Sequence, residues 1–312
     1  MEKPRVGIGF MAVLSVFVLV ACVASGADKK IAAFSNATTQ TTQNVTTAFD
    51  MVERNYYEMQ VARIVNKYDT QGFNPSSIER FLKPDELAAR ITVMKGLQQY
   101  AEKLSLIMGN FQTSEFDKQT KNLGASLTTL NSTLVKEKIL NKSPVSDSDI
   151  QLFATAINAL GRWFIEYKRQ SGVKEIVVMM NPHVERICDL LTKDIGFSPF
   201  DGASDGRGLR GQLWNQYAEA MIEQDTFISK NKALDPITKR EEIRKLAQLV
   251  PDQMQADATL KSTQSALSTL SKTHSKLMDA FEKNSPELDN LLYQMLAESQ
   301  RTMDFYQGLN KK

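Results

Sequence analysis

The sequence predicts an all-α protein, built as an elongated bundle of long antiparallel helices with coiled-coil-like packing. Throughout residues 49–306, apolar side chains recur at steps of three and four, which is the period of one helix face. No Asn-Gly pair between alternating strands, a strong β-hairpin signal, occurs there. Between Leu246 and Phe281 the apolar positions also keep a seven-residue a/d frame, which is typical of coiled-coil packing.

The first helical part is expected over residues 48–195. Its first helix is expected to end near Tyr68, before Gly72, and the second to begin at Pro84, because proline suits a first helical turn. The apolar stripes of the next three helices are Met94, Leu97, Ala101, Leu104, Met108 and Phe111; Phe116, Leu123, Leu127, Leu130 and Leu134; and Ile150, Phe153, Ile157, Leu160, Phe164 and Tyr167.

Residues 176–180 are five apolar residues in a row, and they are open to two interpretations. Periodicity does not separate a buried strand from a helix in so short a run. Helix is favoured because the sequence offers no second strand for pairing. Pro182 then either kinks this helix or starts a new one.

A glycine-rich loop is expected over residues 196–211. Gly196 suits the end of a helix, and the next helix is not expected to start well before Leu209, since glycine costs ~1 kcal/mol in a helix interior. The loop is expected to be the most mobile internal segment, at an end of the bundle. Arg207 and Arg210 are its candidate partner contacts, and a plain flexible connection is the alternative.

The second helical part is expected over residues 212–312, packed with the first as one body. It contains the seven-residue frame, within which Pro251 is expected to bend the helix because proline removes a backbone hydrogen bond. Pro286 is expected to open the last helix.

The first 22 residues are typical of an export signal. Lys3 and Arg5 precede an almost wholly apolar run over residues 6–20, and a basic start before such a run indicates a secretory signal or a membrane anchor. The run closes with Leu19, Val20, Ala21 and Cys22, which resemble the lipobox of bacterial lipoproteins.

The resemblance covers residues 1–22 alone. It implies that residues 1–22 hold the signal peptide and lipobox, and that Cys22 becomes the lipidated first residue of the mature chain, with acyl groups such as palmitate. In lipoproteins of Gram-negative bacteria an aspartate after the cysteine favours the inner membrane. Val23 stands there, so the resemblance implies an outer-membrane lipoprotein facing the periplasm or the surface.

Two other interpretations of this segment stay open. Residues 6–24 are about long enough to cross a ~30 Å hydrocarbon core as an uncleaved helix. Ordinary cleavage after Ser25, Gly26 and Ala27 would use a small-x-small site. Residues 23–47, which are small and polar, are expected to form a tether that leads into the first helix.

Charge excludes one class of partner. The chain has 38 basic and 36 acidic side chains and a formal net charge of +2, without the basic face that nucleic acid binding requires. The expected partners are therefore the membrane, through the N-terminal lipid, and another envelope or incoming protein.

Reactive side chains are few. With Cys22 lipidated, Cys188 is left alone in a helical apolar pattern, which favours a buried structural thiol over a reactive or intermolecular one. His274 falls among leucines, and His183 follows Pro182, so neither belongs to a spacing typical of zinc ligands. The sequence predicts no catalytic residue, no metal site and no cofactor.

The sequence is thus interpreted as an envelope-anchored helical lipoprotein that acts as a protein-binding scaffold or an immunity or exclusion factor, and not as an enzyme. The alternative is a small-molecule-binding protein or enzyme with a pocket between helices, near Trp163, Trp214 and the glycine-rich loop. A flat exposed surface favours the first interpretation, and a cavity with converging polar groups favours the second.

Overall fold

The computed structural model describes residues 26–108, 114–137, 145–166, 172–202, 206–281 and 285–310. These residues form eight α-helices and three short 3-10 helices, and none of them lies in a β-strand. The helices pack against each other as a bundle, so the all-α prediction is confirmed. The α-helices are α1 Ala27–Gln71, α2 Pro84–Met108, α3 Ser114–Glu137, α4 Asp147–Glu166, α5 Val173–Ile195, α6 Gly208–Lys230, α7 Pro236–Ser275 and α8 Pro286–Asn310.

Proline and glycine set several of the helix ends. Proline is the first residue of α2, α7 and α8, where its missing N–H costs no hydrogen bond. Asp235 caps α7, because its carboxylate accepts from the Ile237 and Thr238 amides at 2.9 and 3.2 Å. Gly72 and Gly196 end α1 and α5 with φ of +63° and +74°, a backbone region that favours glycine.

The polar contacts fix the directions of the helices. Thr39 contacts Glu102, and Glu53 accepts from the Leu82 amide, so α1 and α2 run antiparallel. The α1 helix runs parallel to α8, because Lys30 pairs with Asp289 and Asn44 donates to Ser299. These contacts join the two ends of the chain in one bundle.

One hydrophobic core includes residues from both helical parts. Phe49, Tyr100 and Phe153 of the first part and Leu260 and Leu267 of the second all belong to it, and each is at most 1 % exposed. The two parts therefore share a core, and burial of apolar surface is its main source of stability.

The tether prediction is wrong for residues 27–47, which form the first half of α1. Their buried positions follow a step of three and four and lie against α2, α7 and α8. They include Ile31, Phe34, Thr38, Thr41 and Val45. Alanine and threonine are small enough to let neighbouring helices approach closely, so a composition that reads as polar still forms a buried helix face.

Some of the threonine hydroxyls here bond to the helix itself, whereas those of buried Thr38 and Thr41 have no hydrogen-bond partner among the described residues. Thr42 donates to the Thr39 carbonyl at 3.0 Å, and Thr46 donates to the Thr42 carbonyl at 2.9 Å. Such bonds to a preceding turn satisfy a buried hydroxyl without a partner from another helix.

Residues 176–180 lie in α5, so the helical interpretation is confirmed and the strand alternative is wrong. Pro182 lies inside the same helix, and Pro251 lies inside α7. Both helices therefore continue through their prolines instead of ending there.

No helix among the described residues is long and apolar enough to cross a membrane. The predicted signal peptide and Cys22 lie outside the described residues.

Candidate functional site

Residues 196–211 form a closed junction between α5 and α6, in contrast to the mobile loop that the sequence predicts. Phe197 and Arg207 exchange backbone hydrogen bonds of 2.9 and 2.8 Å. Gly196 and Gly208 pack backbone to backbone, since a Cβ built on Gly208 would lie 2.8 Å from the Gly196 Cα. Residues 203–205 at the tip are outside the described part of the chain.

Arg210 holds this junction to α7. Its guanidinium makes two 2.8 Å hydrogen bonds to the Asp257 carboxylate and a 2.7 Å ion pair with Asp201. The side chain is only 3 % exposed, so the prediction that Arg210 contacts a partner is wrong: its donors are used inside the fold. The Arg207 side chain is exposed and stays a candidate contact.

The junction gives a direct prediction for hydrogen exchange. The amides of Phe197 and Arg207 are expected to exchange slowly in the isolated protein, because both donate to backbone carbonyls. The Gly202 amide, which donates to the Pro199 carbonyl at an exposed turn, serves as a faster-exchanging control. Equal, fast exchange at all three amides would contradict a closed junction.

A buried polar chain crosses the centre of the bundle. His274 Nε2 lies 2.9 Å from the Tyr100 hydroxyl, and its Nδ1 lies 2.9 Å from Asn181 Oδ1. An amide oxygen only accepts, so Nδ1 carries the proton and Nε2 accepts from Tyr100. Burial lowers the pKa of His274 to about 3, which keeps the imidazole neutral, with both nitrogens engaged. Such a histidine orders the core and has no free nitrogen for catalysis.

His274 predicts a particular loss of stability in acid. The pKa of His274 in the folded state lies below the ordinary histidine value of 6.5, so between the two values the unfolded state binds a proton that the folded state does not. The stability that neutral His274 contributes is complete above pH 6.5. It is lost as pH falls towards 3, by up to ~1.4 kcal/mol per pH unit. In His274→Gln, unfolding takes up about one proton fewer between pH 6 and 4. The free energy of unfolding should therefore depend less steeply on pH there, with a slope smaller by up to ~1.4 kcal/mol per pH unit.

His183→Gln is the matched control. Burial, with a contribution from Arg162, also lowers the pKa of His183, but this side chain is only partly buried. The slope should therefore change less than in His274→Gln. Identical slopes for the wild type and His274→Gln would show that His274 does not titrate as described.

A groove of about 550 Å³ lies between α5 and α7. Its charged residues are of both signs, and Cys188 lies at its buried side, where burial and then Asp189 raise the pKa of the thiol. The thiol is therefore protonated and a poor nucleophile. The lining residues are Pro182, Glu185, Arg186, Cys188, Asp189, Thr192, Ser268, Ser271 and Lys272.

The tryptophans do not share the pocket that the alternative interpretation places near the glycine-rich loop. Trp163 is 5 % exposed and packs edge-on against Tyr100 in the core. Trp214 packs edge-to-face against Phe200, with ring centroids 4.4 Å apart, beside the closed junction. The described residues hold no group of three or more histidine, cysteine or acidic side chains that could bind a metal ion.

Several exposed apolar side chains lie on a three-helix arm. The arm consists of residues 57–71 of α1, 214–230 of α6 and 236–254 of α7, joined by the ion pairs of Arg63 with Glu219 and Glu223 and by the 2.7 Å contact of Gln224 with Glu242. Its exposed apolar residues are Tyr57, Val65, Tyr68, Ile222, Ile237, Ile243, Val250 and Met254.

The sequence did not predict this surface. The seven-residue frame indicates which leucines of α7 face inwards, but it says nothing about the other apolar positions of that helix. Among the described residues, the arrangement offers an exposed apolar surface and no group of metal-binding side chains. Comparisons of the chain with protein-family models, with curated proteins and with solved structures found no match.

Proposed function

We propose that the protein is an envelope lipoprotein, anchored through Cys22, whose helical body binds another envelope protein or an incoming protein as a scaffold or an immunity or exclusion factor. The observation that carries the binding proposal is the exposed apolar surface of the three-helix arm. Contiguous exposed apolar surface on a protein often marks an interaction site.

The position of α1 supports this arrangement. Only residues 23–26 separate Cys22 from the start of α1, and four residues span at most ~14 Å. The α1 helix has 45 residues and is therefore ~68 Å long. With Cys22 lipidated, α1 begins near the membrane and places the arm, at its other end, several tens of ångströms away.

The lipid anchor is tested by fractionation of three forms of the full chain. The wild type is expected in the outer membrane, and Cys22→Ser is expected to lose acyl labelling with fatty acid. Val23→Asp is the matched control, because it keeps the cysteine and should move the acylated protein to the inner membrane. Unchanged membrane attachment without acylation in Cys22→Ser would favour the uncleaved helix instead.

A small-molecule-binding function is the second candidate, favoured by the groove between α5 and α7. The groove is lined by two cations, Arg186 and Lys272, and by two carboxylates, Glu185 and Asp189. A small zwitterion requires charges of both signs. Amino acids at millimolar concentration should then raise the melting temperature of the wild type but not that of Lys272→Glu. No shift in either form would eliminate this candidate.

A further inference from the structure

An exposed apolar stripe follows α7 along the three-helix arm. Ile243, Ala247, Val250 and Met254 are spaced by four, three and four residues, which places them on one helix face. The three larger side chains are 48, 47 and 53 % exposed. The spacing is that of an a/d seam, yet no described residue covers it.

The fold does not require this stripe. The inward face of α7 is formed by Leu246, Leu249, Gln253 and Ala256, which are buried or half-buried. The exposed stripe is rotated from that face by roughly 100°, at 100° per residue. A solvated helix face normally carries polar side chains, so apolar residues at four seam positions need another explanation.

The α6 helix supplies the second wall. Gln224 contacts Glu242 and Gln253 donates to the Trp214 carbonyl, so α6 and α7 run antiparallel with a known register. In this register Ala218 is level with Val250, and Ile222, 66 % exposed, is level with Ile243.

Helix rotation places these residues on one side of the arm. On α6, Arg63 contacts Glu219 and Glu223, which marks the side that faces α1. Ala218 is about 100° from Glu219 and is turned away from that side, towards α7. Ile222 is about 200° round α6 from Gln224, which contacts α7, so Ile222 points outwards at the rim. Ala218 and the α7 stripe therefore line a shared outer groove, and the edge-to-face pair of Phe200 and Trp214 lies at its end near Met254.

The size of the groove suits one helix and not a second copy of this chain. From Ile243 to Met254 the stripe is ~17 Å long at 1.5 Å per residue, and two packed helices are ~20 Å wide. The face is then on the order of 300 Å², well below the ~800 Å² per partner of a stable interface, so it suits a weak contact with one helix and not a stable dimer of this chain. A single amphipathic helix of three turns matches its length.

The charges near the groove select the partner. Lys239, Arg240 and Arg244 lie on exposed positions at the Ile243 end. Within the described residues, Lys239 and Arg240 have no ion pair, and Arg244 has only a 3.8 Å contact with exposed Glu241. Exposed Glu241 and Asp225 lie at the same end, and Glu242 is engaged by Lys245 and Gln224. Lys239, Arg240 and Arg244 outnumber the exposed carboxylates, which favours a partner helix with carboxylates at that end.

We propose that the groove formed by Ala218 of α6 and by Ile243, Ala247, Val250 and Met254 of α7, with Ile222 at its outer rim, receives one amphipathic helix of the partner protein. The apolar face of that helix lies on the stripe, and its carboxylate-rich end lies against Lys239, Arg240 and Arg244. This mode is helix-in-groove recognition, read through anchors at i, i+4, i+7 and i+11. The proposal rests on the protein-binding function proposed above and names the surface that performs it.

Two synthetic helical peptides test the proposal on the full chain in nanodiscs. Both carry leucines at a/d positions over three turns; one ends in three glutamates and the other in three lysines. The glutamate peptide should bind at least ten-fold more tightly in fluorescence anisotropy, and added salt should reduce the difference. Equal affinities would overturn the charge assignment.

Substitutions locate the site. Ile243→Glu should weaken binding of the glutamate peptide at least ten-fold. Val178→Glu, at a 58 % exposed apolar position on α5, should leave the affinity for this peptide unchanged. Combined Lys239→Glu, Arg240→Glu and Arg244→Glu should reverse the preference between the peptides. Equal losses for Ile243→Glu and Val178→Glu would overturn the location.

Sedimentation of the peptide-free protein tests whether a second copy of this chain fills the groove. A dimer that Ile243→Glu abolishes would show that a second copy fills the groove, which contradicts the proposal. Failure of these binding tests leaves acylation at Cys22 untouched, because the anchor is measured separately by fractionation.

Discussion

Arg90→Met is expected to lower the free energy of unfolding by about 3–5 kcal/mol, because it leaves a carboxylate buried without its charge partner. Arg90 on α2 and Asp194 on α5 are 1 and 0 % exposed at their side chains. Two hydrogen bonds of 2.8 Å join the guanidinium to the carboxylate, and a third, of 2.9 Å, joins it to the Glu86 carbonyl. Urea unfolding, followed by circular dichroism, measures the loss.

Two further variants make this test decisive. Arg90→Met combined with Asp194→Leu should recover much of the loss, because replacing both charges with apolar groups removes the desolvation cost. Arg301→Met should change stability by less than about 0.5 kcal/mol, since its pair with Glu298 is an exposed contact within one helix turn. A loss no larger in Arg90→Met than in Arg301→Met would contradict the structural role of the buried pair.

Gly196→Ala is expected to destabilise the protein by about 3 kcal/mol or more. Its φ of +74° and ψ of −148° lie in a region that is essentially restricted to glycine. A Cβ there would also lie 2.0 Å from the Arg207 carbonyl oxygen, so the backbone of the junction would have to move.

Gly202→Ala separates the two causes. Gly202 has a φ of +83° in the left-handed region, but a Cβ there meets nothing within 4 Å. It should lose only about 1–2 kcal/mol, the cost of the backbone conformation alone. Equal losses in the two variants, measured by thermal unfolding, would show that the close approach of Gly196 and Arg207 contributes nothing.

The helices were predictable where the apolar stripe is built from large side chains. The stripe of α4, from Ile150 to Phe164, is buried as expected, and the seven-residue frame of α7 is buried from Ala256 to Leu270. Periodicity alone carries this information, since a stripe at steps of three and four can face a core only in a helix.

The first half of α1 was not predictable from polarity. Thr38, Thr41 and Thr42 occupy the same stripe as Ile31, Phe34 and Val45, but a threonine counts as polar in a composition argument. The stripe is visible only when threonine is treated as a small side chain that a helix face can bury. The Thr42 hydroxyl bonds to its own helix, whereas the Thr38 and Thr41 hydroxyls have no hydrogen-bond partner among the described residues.

The buried pairs and the groove depend on contacts between distant residues. Arg210 and Asp257 are 47 positions apart, and Arg90 and Asp194 are 104 apart. No local spacing in the sequence indicates such a pair. Arg210 was therefore interpreted as a loop cation that is available to a partner. The exposed stripe of α7 did have a signal, its spacing of four, three and four, which the stronger inward frame on the same helix obscured.

Intact mass of the protein extracted from membranes tests the anchoring of the helical body most directly. The expected mass is that of a chain that begins at Cys22 and carries acyl groups, which places the start of α1 within four residues of the lipid. A mature chain that begins at Asp28 without acyl groups, or one that retains Met1, would contradict the lipid anchor.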